Sequence, residues 1–294
     1  MLGYGLGLRS VHYDHVLTHR PAVDWFELIT ENYLSPGGRS RAVLREIRAT
    51  YPVVLHGLSF NVGTDDPLDV HYLDQLKRLI AEVKPEWVSD HLCWTGLHGY
   101  TSHDLLPIAY TELNVKRVAD KVNRIQDYLQ HRIVLENPSA YIGFRSNTMT
   151  EPEFMNALVR STGCEILLDI NNVYVSGFNL GFDPHAYIDT LIPSAIRQFH
   201  LAGHTHNVTH IIDTHDHAVC DEVWDLYRYA CQRFGPVATL LERDDHIPEF
   251  AELMTELAHA KTLQEEVIQE QGSLKSVMHP LAASTGQLSD GLPA

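Results

Sequence analysis

Cys164-Glu165-Ile166-Leu167-Leu168-Asp169-Ile170 is a short apolar run that closes on a carboxylate. It has the length of a buried strand and is too short for a core helix. Seven runs of the same kind accompany it: Tyr4–Leu8, Asp24–Ile29, Val53–His56, Trp87–Leu92, Arg132–Asn137, Ile196–Leu201 and Ala238–Arg243. Between them lie segments with apolar residues three and four apart. Leu113–Gln130 shows the pattern well, with Val115, Val118, Val122, Ile125 and Leu129 on one stripe. Ser40–Thr50, Val70–Lys84, Pro152–Arg160, Pro184–Leu191, Asp221–Phe234 and Ile247–Ala260 read the same way. Strand and helix thus alternate about eight times, which predicts an α/β fold with a parallel sheet closed into a single-domain (β/α)8 TIM barrel.

The barrel is expected over residues 1–260. The Gln-, Ser- and Gly-rich residues 261–294 predict a polar tail, helical at first and then disordered. Two connections are longer than usual, Leu92–Leu113 and Asn171–Asp183, and are expected to be loops that shape a substrate pocket. The glycines of Gly3-Tyr4-Gly5-Leu6-Gly7 lack the spacing of a dinucleotide-binding turn, and there is no P-loop.

A formal net charge of −16 without a Lys/Arg-rich stripe disfavours a nucleic-acid partner. Apolar stretches fall well short of a bilayer span, so no membrane partner is expected. Met1-Leu2-Gly3-Tyr4-Gly5 carries no basic region followed by an apolar segment, so a cytoplasmic location is expected. Cys93, Cys164, Cys220 and Cys231 show no C-x-x-C pair and read as reduced thiols.

The ends of the apolar runs carry the chemistry. Runs three to eight close on His56, Asp90 with His91, Glu136, Asp169, His200 and Glu242. Taken singly, His56 and His91 read as hydrogen-bonded core histidines, and Glu242 as a salt-bridge partner of Arg243. Taken together they converge, because a barrel gathers the ends of its strands around one mouth. Three buried carboxylates there would repel one another without cations. The cluster Asp213-Thr214-His215-Asp216-His217 adds donors, and in an extended segment Asp213, His215 and His217 would point to one side. His56, His91, Glu136, Asp169, His200, Asp213, His215 and Glu242 are therefore eight metal-ligand candidates, with His217 an alternative to His215. One catalytic ion needs about three protein ligands, so eight suffice for two or three ions with Glu136 or Asp169 bridging. Asp90, Asn172 and His204 are candidates for catalytic or ligand-orienting roles.

The segments His56-Gly57-Leu58-Ser59, Ser89-Asp90-His91-Leu92, Leu135-Glu136-Asn137, Leu168-Asp169-Ile170-Asn171-Asn172-Val173-Tyr174, His200-Leu201-Ala202-Gly203-His204, Asp213-Thr214-His215 and Leu241-Glu242-Arg243-Asp244 resemble the multinuclear non-haem iron-dependent oxidative enzymes. That family includes the iron enzymes of methanobactin and thioglutamate biosynthesis. The resemblance spans roughly Leu2 to Ala260. It implies a TIM barrel holding two or three Fe ions, mixed ferrous and ferric, with O2 as co-substrate. It makes the eight candidates iron ligands. It further implies oxidation of a Cys-containing, ribosomally synthesised precursor peptide at the cysteine Cβ, and a small leader-binding partner protein. Sulfur heterocycles or loss of the Cβ carbon are the implied outcomes.

Three rivals share parts of the pattern. A trinuclear zinc phosphodiesterase of the endonuclease IV type has a similar ligand order, but carries His three residues after the Asp, where this chain has Asn172. A xylose-isomerase-like enzyme would use fewer imidazoles. A non-catalytic metal-binding scaffold would not need the aromatic, polar connections beside the mouth.

Overall fold

The computed structural model describes residues 2–278. In chain order the elements are β1 (Tyr4–Gly7), α1 (Tyr13–His19), β2 (Trp25–Ile29), α2 (Arg39–Arg48), β3 (Val53–Gly57), α3 (Val70–Val83) and β4 (Val88–His91). A hairpin of β5 (Trp94–Leu97) and β6 (Tyr100–Leu106) follows, then α4 (Glu112–Leu129), β7 (Ile133–Glu136), α5 (Glu151–Thr162), β8 (Glu165–Asp169), α6 (Ile170–Leu180) and α7 (Pro184–Thr190). The chain continues through β9 (Ile196–Leu201), a small hairpin of β10 (Thr205–His206) and β11 (Ile211–Ile212), α8 (Asp221–Phe234), β12 (Ala238–Leu241) and α9 (Phe250–Met278). Eight strands close a parallel barrel in the order β1-β2-β3-β4-β7-β8-β9-β12, as the alternating pattern predicts.

Strand alternation explains how this barrel holds polar groups. Residues two apart share a face. Trp25, Val54, Trp87, Val134, Leu167, Ala238 and Leu240 form one buried apolar cluster inside the barrel. Two residues further along their strands come Glu27, His56, Glu136, Asp169 and Glu242. An apolar plug therefore fills the lower barrel, and a polar layer lies directly above it. Gly5 makes room for the plug, since a Cβ there would stand 2.4 Å from the Trp25 indole. The register levels the polar layer: His91 pairs with Glu136, and Asp169 with His200. The outward strand faces pack with the helices into the main core.

Three segments differ from expectation. Asn171–Asp183 is not a loop: most of it is α6, capped by Asp169, whose side chain accepts from the Asn172 amide, and ended by Gly181 at φ 75°. Its Asn, Ser, Gly and β-branched residues are poor helix formers, so burial of Ile170, Val173 and Val175 outweighs local propensity. Leu92–Leu113 contains the β5–β6 hairpin. The boundary at 260 falls inside α9, where Leu263, Gln264 and Val267 are buried and Gln264 Nε2 donates to the Tyr227 hydroxyl at 3.0 Å. The expected helical start of the tail is thus part of a docked helix. The disordered stretch expected after it, residues 279–294, lies outside the described residues. Among the described residues no helix is long and apolar enough to cross a membrane.

Candidate metal centre

His56, His91, Glu136, Asp169 and His200 stand at the C-terminal ends of β3, β4, β7, β8 and β9, and Glu242 follows β12. All six are more than nine-tenths buried. Asp213 and His215 enter from the segment between β11 and α8, which is tied to the barrel by the Asp244 amide donating to the His215 carbonyl at 2.9 Å. The structure thus brings all eight ligand candidates to one place.

Glu136 is central. Its Oε2 lies 3.2 Å from His56 Nε2 and 3.3 Å from His91 Nε2, and its Oε1 is 3.8 Å from His200 Nδ1. His200 Nδ1 is also 3.0 Å from Glu242 Oε2 and 3.9 Å from Asp169 Oδ2. His215 Nε2 lies 2.7 Å from Asp213 Oδ1 and 4.0 Å from Asp169 Oδ2, while its Nδ1 is 3.3 Å from Glu242 Oε2. Four triads result, each with donor atoms within 4.8 Å of one another: His56/His91/Glu136, Glu27/His200/Glu242, Glu136/Asp169/His200 and Asp169/His215/Glu242. Glu136, Asp169, His200 and Glu242 each belong to two of them.

The charges of this cluster are mutually dependent. Burial disfavours a charged His56, but Glu27 and Glu136 outweigh it and lift the imidazole to about 9. Burial also penalises ionised Glu136, yet His91, His200 and His56 hold the carboxyl down at about 2. His91, which lacks the Glu27 contribution, is lowered by burial. Asp169 is pushed well above the carboxylate range by burial, with Glu136 and Asp213 adding repulsion. His200 and His215 rise well above a normal imidazole: burial opposes this, and Glu27 with Glu242, or Asp213 with Glu242, overcomes it.

The donor atoms themselves test whether cations fit. Glu136 Oε2, Asp169 Oδ2, Asn172 Oδ1, His200 Nδ1 and both ring nitrogens of His215 are buried and make no well-aligned hydrogen bond, only the close imidazole–carboxylate approaches given above. Each unsatisfied buried group costs about 1–3 kcal/mol. They face one another, so metal ions among them satisfy several at once. Imidazole and carboxylate donors without a thiolate suit iron or zinc.

The remaining candidates separate. Asn172 belongs to the cluster, with Nδ2 donating to Glu136 Oε1 at 3.4 Å and to the Asn137 carbonyl at 3.0 Å. His204 sits at one remove: its Nδ1 meets Asn171 Oδ1 at 2.7 Å, Asn171 Nδ2 donates to Asp213 Oδ1 at 2.7 Å, and the ring stacks on Tyr174. Asp90 faces away and accepts from the Ser59 and Phe60 amides, both at 3.0 Å. His217 also diverges from His215. A left-handed residue, His215 at φ 48°, breaks the alternation that would have put them on one side, and His217 is exposed beside Asp216. Glu242 takes its cation from Arg9 at 3.4 Å, whereas Arg243 pairs with Glu256 at 2.6 Å.

One residue escaped the sequence reading. Glu27 is buried in the middle of β2, and its two oxygens lie 3.1 and 3.2 Å from His200 Nε2. It also accepts from Gln198 Nε2 at 2.7 Å, and Gln198 Oε1 accepts from Trp87 Nε1 at 2.6 Å. This line orients His200 so that Nδ1 faces the cluster. The signal was present: a lone Glu between Phe26 and Leu28 on the inward-facing parity of an apolar strand.

Residues 3–265 match the family described as RiPP precursor modification enzyme MbnB/TglH/ChrH, RiPP denoting a ribosomally synthesised and post-translationally modified peptide. The chain is 48% identical over 260 residues to a UPF0276 protein of Acaryochloris marina, covering 88% of this chain and 94% of that one. It is 45% identical over 264 residues to a UPF0276 protein of Anaeromyxobacter sp., covering 90% and 93%. Among solved structures, endonuclease IV from Thermus thermophilus superposes with a TM-score of 0.57 at 19% identity, over 91% of this chain and 99% of that one. D-psicose 3-epimerase from Clostridium cellulolyticum gives 0.57 at 10% identity, over 91% and 98%. At such identities these two structures show a shared barrel fold.

Proposed function

Because the chain belongs to the RiPP precursor modification enzyme family MbnB/TglH/ChrH, we propose that it oxidatively modifies a Cys-containing precursor peptide with two or three iron ions and O2. The observation that carries the metal part is the set of buried donor atoms on Glu136, Asp169, His200 and His215 that face one another within 4.8 Å in overlapping triads and make no well-aligned hydrogen bond. The overlapping triads support more than one ion, with Glu136 shared between the His56/His91 side and the Asp169/His200 side. Iron held there supplies one-electron redox chemistry and O2 reduction, which the side chains lack.

The chain's own residues have distinct tasks. Glu27 fixes the proton of His200 on Nε2 and keeps Nδ1 free as a donor. Asn172 holds Glu136 in place through its amide. Asn171 donates to Asp213, which turns its oxygen towards His204 and puts the His204 proton on Nδ1. Burial lowers His204, which keeps the ring neutral and leaves its Nε2 free to accept a hydrogen bond from an incoming cysteine thiol. A small partner protein that presents the peptide leader, and a cytoplasmic setting with reduced thiols, complete the reading; the four cysteines form no disulfide.

Anaerobic purification with metal analysis, followed by oxygen uptake with a Cys-bearing peptide encoded beside the gene, tests this. Iron at two or more equivalents and peptide-dependent oxygen consumption are expected. Zinc alone with cleavage of abasic DNA overturns it in favour of a phosphodiesterase. Bound iron with no oxygen uptake under any peptide overturns it in favour of a metal-binding scaffold.

A further inference from the structure

A second cavity, of about 370 Å³, opens between the loop after β7 and the α6–α7 corner, and none of its lining residues belongs to the ligand triads. Its wall is mostly apolar, with Ile108, Phe144, Met149, Leu180 and Phe182 prominent. Two carboxylates, Glu151 and Asp183, line it, and neither lysine nor arginine does. Glu151 opens α5 and is 9% exposed. The Tyr110 hydroxyl donates to its Oε1 at 2.7 Å, and no cation pairs with it among the described residues. Asp183 is occupied as the cap of α7, where it accepts from the His185 amide at 3.0 Å. A carboxyl buried beside an apolar cavity is costly to ionise, so it keeps its proton while the cavity is empty and releases it when a hydrogen-bonding cation enters. The chain's net charge of −16 favours a cationic visitor as well.

We propose that this cavity receives a lysine side chain of the peptide substrate, with its methylenes along the apolar wall and its ammonium on Glu151. The assignment rests on the reading that the substrate is a peptide. Lysine fits better than arginine because the Tyr110 and Tyr187 hydroxyls already engage the Glu151 carboxyl. That leaves a point acceptor for an ammonium, not the two-oxygen edge a guanidinium fork prefers. Ala140 lines the cavity and lies four residues beyond Glu136. At about 3.3–3.6 Å per residue their backbones are at most about 14 Å apart. The cavity therefore opens close enough to the metal cluster for one extended peptide to reach both.

Met149 reports on the cavity directly. Protein carrying 13C-methyl methionine is titrated with Nα-acetyl-lysine methylamide and with its uncharged counterpart, Nα-acetyl-norleucine methylamide, and Met149→Leu assigns the resonance. The lysine compound should shift the Met149 methyl signal with about tenfold higher affinity than the norleucine compound, and Glu151→Gln should erase that preference. Equal affinities, or no shift with either compound, overturn the proposal. If Glu151→Gln does not fold, the two compounds on the unaltered protein decide alone. The titration needs neither metal nor O2, so the two readings fail separately. A Met149 response without peptide oxidation rejects the oxidative function and leaves the lysine site standing, whereas peptide oxidation without a Met149 response does the reverse.

Discussion

Glu27→Gln changes one atom and should disable His200 as a ligand. Glu27 Oε2 accepts from Gln198 Nε2 at 2.7 Å, and Gln198 cannot turn because its Oε1 accepts from Trp87 Nε1 at 2.6 Å. A glutamine at position 27 then has two orientations. With its oxygen towards Gln198, its NH2 takes the Oε1 position 3.1 Å from His200 Nε2, where it opposes the Nε2 proton that the remaining oxygen at 3.2 Å alone supports. This shifts the ring towards the tautomer protonated on Nδ1, the atom that faces Glu136, Asp169 and Glu242. With its NH2 towards Gln198, two donors collide at a fully buried position. The first orientation removes a ligand, and the second leaves an unsatisfied buried donor costing about 1–3 kcal/mol. Losing the partner that orients a ligating imidazole typically lowers metal affinity about 10–100-fold, or ~1.4–2.7 kcal/mol. Competition against a chelator of known affinity under anaerobic conditions measures this, with circular dichroism of the metal-free variant confirming the fold. Wild-type affinity at every ion in a folded Glu27→Gln protein would refute the argument that Glu27 sets the His200 tautomer.

Glu136→Gln should lower metal content at more than one position, because Glu136 belongs to two triads; retained stoichiometry would reject its bridging role. His215→Ala should lose bound metal while His217→Ala, at an exposed position, should keep it, and elemental analysis of the two variants separates them. Glu151 gives a pH signature away from the metal centre. Burial raises its carboxyl from 4.5 to about 7 despite the Tyr110 and Tyr187 hydroxyls, so between those values the folded chain keeps a proton that the unfolded chain releases. Its contribution is full below about pH 4.5 and is lost as pH rises through about 7, amounting to about 3 kcal/mol at ~1.4 kcal/mol per pH unit. Denaturant titrations of metal-free wild type and Glu151→Gln should diverge by that amount between pH 4.5 and 8, and a difference independent of pH would count against a buried, protonated Glu151.

What the sequence made legible follows from where polarity interrupts an apolar pattern. Glu136 and Asp169 stand out because each closes a run of buried aliphatics, and a barrel leaves only one place for such ends. Glu27 was hidden by the same logic: its run continues through Leu28 and Ile29, so the carboxylate is not at an end. Reading β2 by parity would have found it, since Trp25 and Glu27 share the inner face. The adjacent pair Asp90 and His91 could not both face inward, and the structure gives the inner face to His91 and the β3–α3 connection to Asp90. His215 and His217 were indistinguishable under the assumption of an extended strand. The positive φ of His215 is a tertiary outcome that spacing does not encode.

The misread loop and the best-read ligand turn out to be one feature. Asp169 Oδ1 accepts from the Asn172 amide at 2.7 Å and so caps α6, while Oδ2 is left without a partner at the cluster. Capping selects one side-chain rotamer, and that rotamer aims the second oxygen at the His200 and His215 rings. Asn171 and Asn172, which argue against a helix by propensity, occupy its first turn for another reason. From there Asn172 reaches Glu136 and Asn171 reaches Asp213. The helix start therefore holds three ligands at once: Asp169 by capping, Glu136 and Asp213 by amide donors. A substitution that favours the helix but removes these amides, such as Asn171→Ala, should stabilise the isolated segment and still loosen Asp213. In the folded protein that gain of at most about 0.7 kcal/mol is outweighed by the buried bonds lost to Asp213 and His204. Metal-free stability should therefore fall by about 1–3 kcal/mol, and metal affinity should fall with it. A less stable variant that binds metal as tightly as wild type would show that the first turn of α6 serves the fold alone.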